Sequence, residues 1–68
     1  MGPTEKILAD IDKHTPKTGY NLCGIDDFEP AGQQLYTIAH FETSEQVKEA
    51  NKARPDALIY PNVGSNND

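Results

Sequence analysis

The sequence contains one cysteine, Cys23, so no disulfide can form within the chain. A small domain without a disulfide is typical of a reducing compartment, and we expect a cytoplasmic location. No apolar run is long enough for a membrane span or for the hydrophobic segment of a secretion signal. These absences predict a protein that does not associate with membranes.

Basic residues are also scarce: six Lys and Arg stand against eleven Asp and Glu, for a net charge of −5. Nucleic-acid binding needs clustered cations that neutralise phosphates. The densest basic group, Lys48, Lys52 and Arg54, is interleaved with Glu45 and Glu49, so its field largely cancels. We therefore expect no nucleic-acid binding. The acidity suits a basic partner or the imitation of nucleic acid, and it also keeps a small protein soluble.

The patterning of the chain predicts one α+β domain over residues 1–61 and a disordered C-terminal tail over 62–68. Hydrophobic periodicity and turn residues favour the element order α-β-β-α-β. The predicted helices cover 4–14 and 43–54, and the predicted strands cover 20–25, 35–41 and 57–60.

Local signals mark the predicted helix ends. Thr4 is a candidate N-cap for the first helix, and Pro16 follows its end. Thr43 followed by Gln46 is a capping box for the second helix, which ends before Pro55. Each helix thus begins and ends at residues that are typical of helix boundaries.

The three strands predict one sheet, formed by an antiparallel hairpin and a βαβ crossover, packed with two helices. The second strand carries apolar residues on both faces, which favours a central or doubly covered position. The first helix either joins the second helix or covers the opposite face of the sheet. A bare face would be a natural site for a second copy of the chain or another partner.

Candidate metal ligands are dispersed along the sequence. His14, Cys23 and His40 are far apart, whereas zinc ligands usually come in closely spaced pairs. They would converge only through the fold, together with nearby carboxylates. A metal-binding or small-ligand-binding module is therefore the alternative hypothesis, and ordinary structural roles for the two histidines compete with it.

No catalytic motif is evident. Cys23 lies within a predicted strand, where buried cysteines usually behave as small hydrophobic residues. Asp26 and Asp27 are adjacent and point apart, so a shared proton is not expected. The five glycines are isolated and form no phosphate-binding loop. We expect a protein that is not an enzyme and that needs no cofactor.

The most suggestive surface is an acidic loop that contains one aromatic residue, since binding hot spots often combine aromatic and charged groups. The competing interpretation is that the aromatic ring folds back under the sheet. A free edge at the last strand is a second candidate surface. The candidate partner-binding residues are Asp26, Asp27, Phe28, Glu29 and Tyr60.

Together these observations predict a small acidic, non-enzymatic protein-interaction or regulatory module. Its partner is another protein or a second copy of itself, bound as a homodimer through the sheet. One variant of this hypothesis is an inhibitor whose acidic face imitates nucleic acid.

Overall fold

Two helices and three strands lie along residues 2–63, which are the residues that the computed structural model describes. The predicted α-β-β-α-β order and the α+β class are confirmed. Residues 64–68 of the predicted tail lie outside the described residues. The elements are α1 (Pro3–His14), β1 (Tyr20–Ile25), β2 (Leu35–Phe41), α2 (Ser44–Ala53) and β3 (Leu58–Pro61).

Helix α1 begins one residue earlier than predicted, because Pro3 occupies its first turn and Gly2 is the N-cap. The expectation that Thr4 caps this helix is therefore wrong. Proline suits the first helical position, since its fixed φ fits the helix and its missing N–H is not needed there. The helix ends where the Thr15 hydroxyl donates to the Ile11 carbonyl at 2.8 Å, just before Pro16.

Helix α2 begins with the predicted capping box. The Gln46 N–H donates to the Thr43 hydroxyl at 3.2 Å, and the Thr43 N–H donates to the Gln46 side chain at 3.3 Å. At its other end, the side-chain amide of Asn51 donates to the carbonyls of Arg54 and Ala57, at 3.0 and 3.1 Å. These bonds satisfy carbonyls at the helix end and join α2 to the start of β3.

The strand order is β2-β1-β3, and β1 is antiparallel to both neighbours. Strands β2 and β3 are consequently parallel to each other, with β1 inserted between them. The expected hairpin and the β2-α2-β3 crossover are both present. However, β1 is the central strand and β2 is an edge strand that a helix contacts on each face, so of the two positions expected for β2 the central one is wrong and the doubly covered one is observed.

A β-bulge explains why β2 carries apolar residues on both faces. The register between β1 and β2 shifts at Leu22 and Cys23, and Ile38 is the extra residue on β2. An extra residue changes the phase of the alternation between faces. As a result Ile38 and Phe41 both pack against the core, although simple alternation places them on opposite faces.

The two helices lie on opposite faces of the sheet. Helix α2 covers one face through Val47 and Ala50, and α1 covers the other face, mainly over β2. Packing one helix on each face follows the general rule that a sheet buries its apolar sides against other elements. The core on the α2 side consists of Leu22, Val47 and Ala57, with Tyr20, Ile38, Phe41, Ala50 and Ile59 packed around them.

The turn before β1 requires glycine. Gly19 has a φ of 69°, and a Cβ at this position would overlap the Phe41 carbonyl oxygen. The Gly19 carbonyl accepts hydrogen bonds from both the main-chain and side-chain N–H groups of Asn62, each at 3.0 Å. Asn62, which the tail prediction included, is thus bonded to the start of β1.

Candidate protein-interaction surface

His14 lies at the end of α1, where its Nδ1 is 2.8 Å from the Asp10 carbonyl oxygen and 3.2 Å from Asp10 Oδ1. Both partners are acceptors, so this nitrogen carries a proton. His14 thus ties the last turn of α1 to a carboxylate within the same helix.

His40 lies on the exposed part of β2 and makes different contacts. Its Nδ1 is 2.7 Å from the side-chain oxygen of Asn21, whose amide donates to the His14 carbonyl at 2.9 Å. Its Nε2 is 3.3 Å from a Glu42 carboxylate oxygen. Asn21 therefore bridges α1 and β2 across the central strand, and His40 takes part in this polar contact.

Cys23 is fully buried in the central strand. Burial raises the pKa of its thiol, and the nearby Asp10 carboxylate raises it further, while a hydrogen bond to Thr37 acts in the opposite direction. The thiolate is the reactive and metal-binding form of cysteine. A thiol held protonated and away from solvent is poorly suited to either role.

The structure does not bring His14, Cys23 and His40 together. Among residues 2–63, no three His, Cys, Asp or Glu side chains are grouped so that they could hold a metal ion. The described part of the chain also contains no helix that is long and apolar enough to cross a membrane.

An apolar cavity of about 140 Å³ opens between α1 and the sheet. We name it the α1–β3 groove. Ile7, Ile25 and Leu58 leave 44 %, 47 % and 40 % of their surfaces exposed, which is unusual for large apolar residues that face one depression. The α1–β3 groove is lined by Ile7, Ile11, Ile25, Leu35, Leu58 and Tyr60, together with the polar residues Asp10 and Gln34.

The groove exists because α1 lies over β2 rather than over the middle of the sheet. Alternation along the strands directs Ile25 and Leu58 to the α1 face, but the helix does not extend far enough to cover them. A bare sheet face was one of two arrangements that the sequence allowed. The structure shows a face that is half covered, with the uncovered half next to β3.

Asp10 contributes a buried carboxylate to the groove, although it is not among the site residues predicted from the sequence. Asp10 is 5 % exposed, and its Oδ2 accepts a hydrogen bond from the Leu35 N–H at 3.0 Å. Residues that bond to the neighbouring strand alternate with residues that do not in an antiparallel pair. The Asp26 N–H donates to the Gln34 carbonyl, so the N–H of the next residue, Leu35, points away from β1. Asp10 thus satisfies an edge donor of β2 and fixes α1 in position.

Tyr60 also lines the groove and is partly buried. Burial raises the pKa of its hydroxyl, and the proximity of Cys23 and Asp10 raises it further. The hydroxyl therefore stays protonated at neutral pH and can donate a hydrogen bond. Of the five candidate partner-binding residues, Tyr60 is the one within the groove itself.

The acidic loop begins directly after Ile25, at the mouth of the groove. Phe28 is completely exposed, so the interpretation that its ring folds under the sheet is wrong. Its N–H donates to Asp26 Oδ1 at 3.0 Å, and the Glu29 N–H donates to the Asp26 carbonyl at 3.2 Å. Asp26 thus holds a tight turn that presents the Phe28 ring to solvent.

The outer edge of β3 offers little to an added strand. The Asn62 N–H donates to the Gly19 carbonyl, which fixes the alternation of inward and outward backbone groups along β3. In this register the N–H and C=O groups of Ile59 point to the outer side. The outward groups of Ala57 are already bonded to Arg54 and Asn51, and Pro61 has no N–H. On β3, Ile59 therefore carries the outward N–H that remains for a partner.

A broader depression of about 330 Å³ lies on the other side of α1, between Lys6 and Gly32. It is open to solvent over most of its extent, and Lys6 and Gln33 are the polar side chains in its lining. Sites for small molecules usually enclose their ligand among several convergent polar groups. This depression lacks such an arrangement among residues 2–63.

No protein-family model, curated protein or solved structure is significantly similar to this chain.

Proposed function

We propose that this protein is a non-enzymatic protein-interaction module whose binding surface is the α1–β3 groove together with the loop over 26–29. The observation that carries the proposal is the exposure of Ile7, Ile25 and Leu58 around one apolar cavity, beside a completely exposed Phe28. Exposed apolar groups that share a depression typify surfaces that a partner covers.

The chemistry of the polar residues supports binding rather than catalysis. Cys23 is buried with a raised pKa, and the imidazole of His14 is bonded within its own helix. Asp10 is occupied by a main-chain N–H and by His14. The Cys23 thiol and the Asp10 carboxylate are thus committed to the folded structure. Residues 2–63 contain no group of side chains placed to hold a metal ion, and the net charge of −5 does not favour nucleic acid.

The cytoplasm is the location that best suits this proposal, since Cys23 is a free thiol and reducing conditions preserve it.

A pair of neighbouring substitutions tests the proposal. Ile7 lines the groove, whereas Leu8 is 60 % exposed on the same helix and does not line it. Ile7→Gln and Leu8→Gln remove comparable apolar surface, and glutamine is compatible with a helix. The tagged wild type and both variants would serve as baits in extracts of the source cells, with retained proteins quantified by mass spectrometry.

We expect one protein to be retained stoichiometrically by the wild type and by Leu8→Gln, and at least about tenfold less by Ile7→Gln, as for removal of a central anchor contact. Circular dichroism and thermal unfolding would verify that both variants fold. Equal retention by all three baits, or retention of no protein at all, would contradict the proposal.

A further inference from the structure

The size of the α1–β3 groove limits what can fill it. Its volume of about 140 Å³ is below the range of roughly 300–1,000 Å³ that is usual for small-molecule sites. An apolar protein cavity of about 150 Å³ accommodates a benzene ring. The groove therefore matches one aromatic or branched apolar side chain that protrudes from a larger partner.

The charged residues next to the groove in sequence or space include three carboxylates and two cations. Asp27 and Glu29 lie in the exposed loop that follows Ile25, and Asp56 lies two residues before Leu58. The cations near this end of the sheet are Lys6, beside Gly32, and Arg54, at the end of α2. Because the whole chain also carries a net charge of −5, its field attracts a positively charged partner.

The same charges disfavour a second copy of the chain at this surface. Two copies that met through their grooves would bring two acidic loops together, and like charges at an interface oppose association. The backbone also disfavours the addition of a strand to β3, because on this strand the N–H of Ile59 is the outward donor still available to a partner. A partner is therefore expected to bind the groove through side-chain contacts.

We infer that the groove binds a cationic segment of another protein, which inserts one aromatic or branched apolar side chain between α1 and β3 and places Lys or Arg residues against the acidic loop. This inference rests on the proposed function and specifies its partner. The inserted side chain contacts Ile7, Ile25 and Leu58, and the cations face Asp27 and Glu29. Affinity then comes from the anchor, and the charges mainly provide steering and specificity.

A random peptide library displayed on phage, selected on the purified protein, tests the inference without the natural partner. We expect enriched sequences to combine Lys or Arg with one Phe, Tyr, Trp, Leu or Ile. A synthetic peptide of the enriched sequence should bind more weakly as the NaCl concentration rises, because salt screens exposed charges. It should bind Ile7→Gln at least about tenfold more weakly than Leu8→Gln.

Matched charge variants distinguish the effect of the loop carboxylates on peptide binding from the effect of the net charge of the whole chain. Asp27→Asn/Glu29→Gln removes two negative charges beside the groove, and Glu45→Gln/Glu49→Gln removes two from α2 on the opposite side of the sheet. We expect the first variant to bind the peptide about three- to tenfold more weakly at low salt, and the second to bind nearly as well as the wild type.

Several outcomes would overturn the inference. Enrichment of acidic or uncharged peptides, enrichment of none, or equal weakening by the two charge variants would each contradict a cationic partner. Light scattering after size exclusion provides another test. A concentration-dependent dimer that Ile7→Gln abolishes and Leu8→Gln retains would make the second copy the occupant. That result would refute the cationic segment while leaving the groove as an interaction surface.

Discussion

Asp10 shows how one polar residue can set the position of a helix. Its carboxylate is buried, bonded to the Leu35 N–H on β2 and close to the His14 ring on its own helix. A buried donor that loses its acceptor costs more free energy than an ordinary hydrogen bond contributes. Asp10 therefore stabilises the contact of α1 with β2, and this contact defines one wall of the groove.

Asp10→Ala should lower the free energy of unfolding by about 1–3 kcal/mol, because it leaves the Leu35 N–H without its acceptor. Asp12→Ala, two residues away on the exposed side of α1, should change it by no more than about 0.5 kcal/mol. Urea denaturation followed by circular dichroism measures both. Equal losses for the two variants would show that Asp10 contributes only as a helix residue.

Cys23 makes the free energy of unfolding decrease as the pH rises through the alkaline range. Its pKa is raised in the folded state, chiefly by burial, so the unfolded chain releases this proton at a lower pH than the folded chain does. Above the ordinary thiol pKa of about 8.5, the unfolded state binds fewer protons and stability falls as pH rises. Below that pH the thiol is protonated in both states and has no effect. Tyr60, whose pKa is also raised, adds a loss of the same sign at higher pH.

Urea denaturation at pH 7, 8, 9 and 10 should show a steeper loss of stability in the wild type than in Cys23→Ala, in which only the tyrosine effect remains. The comparison uses the change with pH, since Cys23→Ala also removes buried volume and lowers stability at every pH. The same slope in both proteins would show that the thiol ionises as readily in the folded protein as in the unfolded chain.

At the scale of elements, each edge of the sheet is protected at particular positions. Asp10 accepts from an outward N–H of β2, and the junction between α2 and β3 occupies the outward groups of Ala57. Pro61 removes a donor at the other end of β3. Natural sheets commonly protect their edges in such ways, which prevents unwanted strand pairing. At these positions the fold disfavours the addition of another strand.

Amide hydrogen exchange tests this description of β3. The N–H groups of Leu58 and Tyr60 point toward β1, whereas that of Ile59 points outward. We expect Ile59 to exchange at least about tenfold faster than Leu58 and Tyr60. Equal protection at the three positions, measured by NMR in the isolated protein, would show that the outer edge of β3 is covered.

Local features of the elements were predictable, and features that depend on distant residues were not. The bounds of β1 and β2 and the Thr43–Gln46 capping box follow from neighbouring residues. The edge position of β2 was not foreseen, because the bulge at Ile38 changes the alternation that the prediction used. The burial of Asp10 depends on the Leu35 N–H, which is 25 residues away in sequence.

The candidate site was predictable only in part for the same reason. The loop that carries Phe28 and the strand that carries Tyr60 could each be recognised as a possible surface. Their relation to a common groove depends on the strand order and on where α1 crosses the sheet. One signal was available: Asp10 and His14 are four residues apart on one helix, which is the spacing of a side-chain pair.

At the scale of the whole molecule, one face of the sheet is closed by α2 and the other is left partly open by α1. A chain of 68 residues buries only about 60 % of its unfolded surface, so apolar surface left exposed is costly to a domain of this size. We propose that a partner covers both the apolar groove and the exposed aromatic ring beside it. This is the central claim of the proposed function.

Site-specific photo-crosslinking in the source cells tests that claim most directly. A photoreactive amino acid would replace Leu58, which lines the groove, or Lys48, which is exposed on α2 across the sheet. We predict one discrete covalent adduct with a cellular protein from position 58, reduced by the additional substitution Ile7→Gln, and none from position 48. Adducts of equal yield from both positions, or none from position 58, would contradict the account.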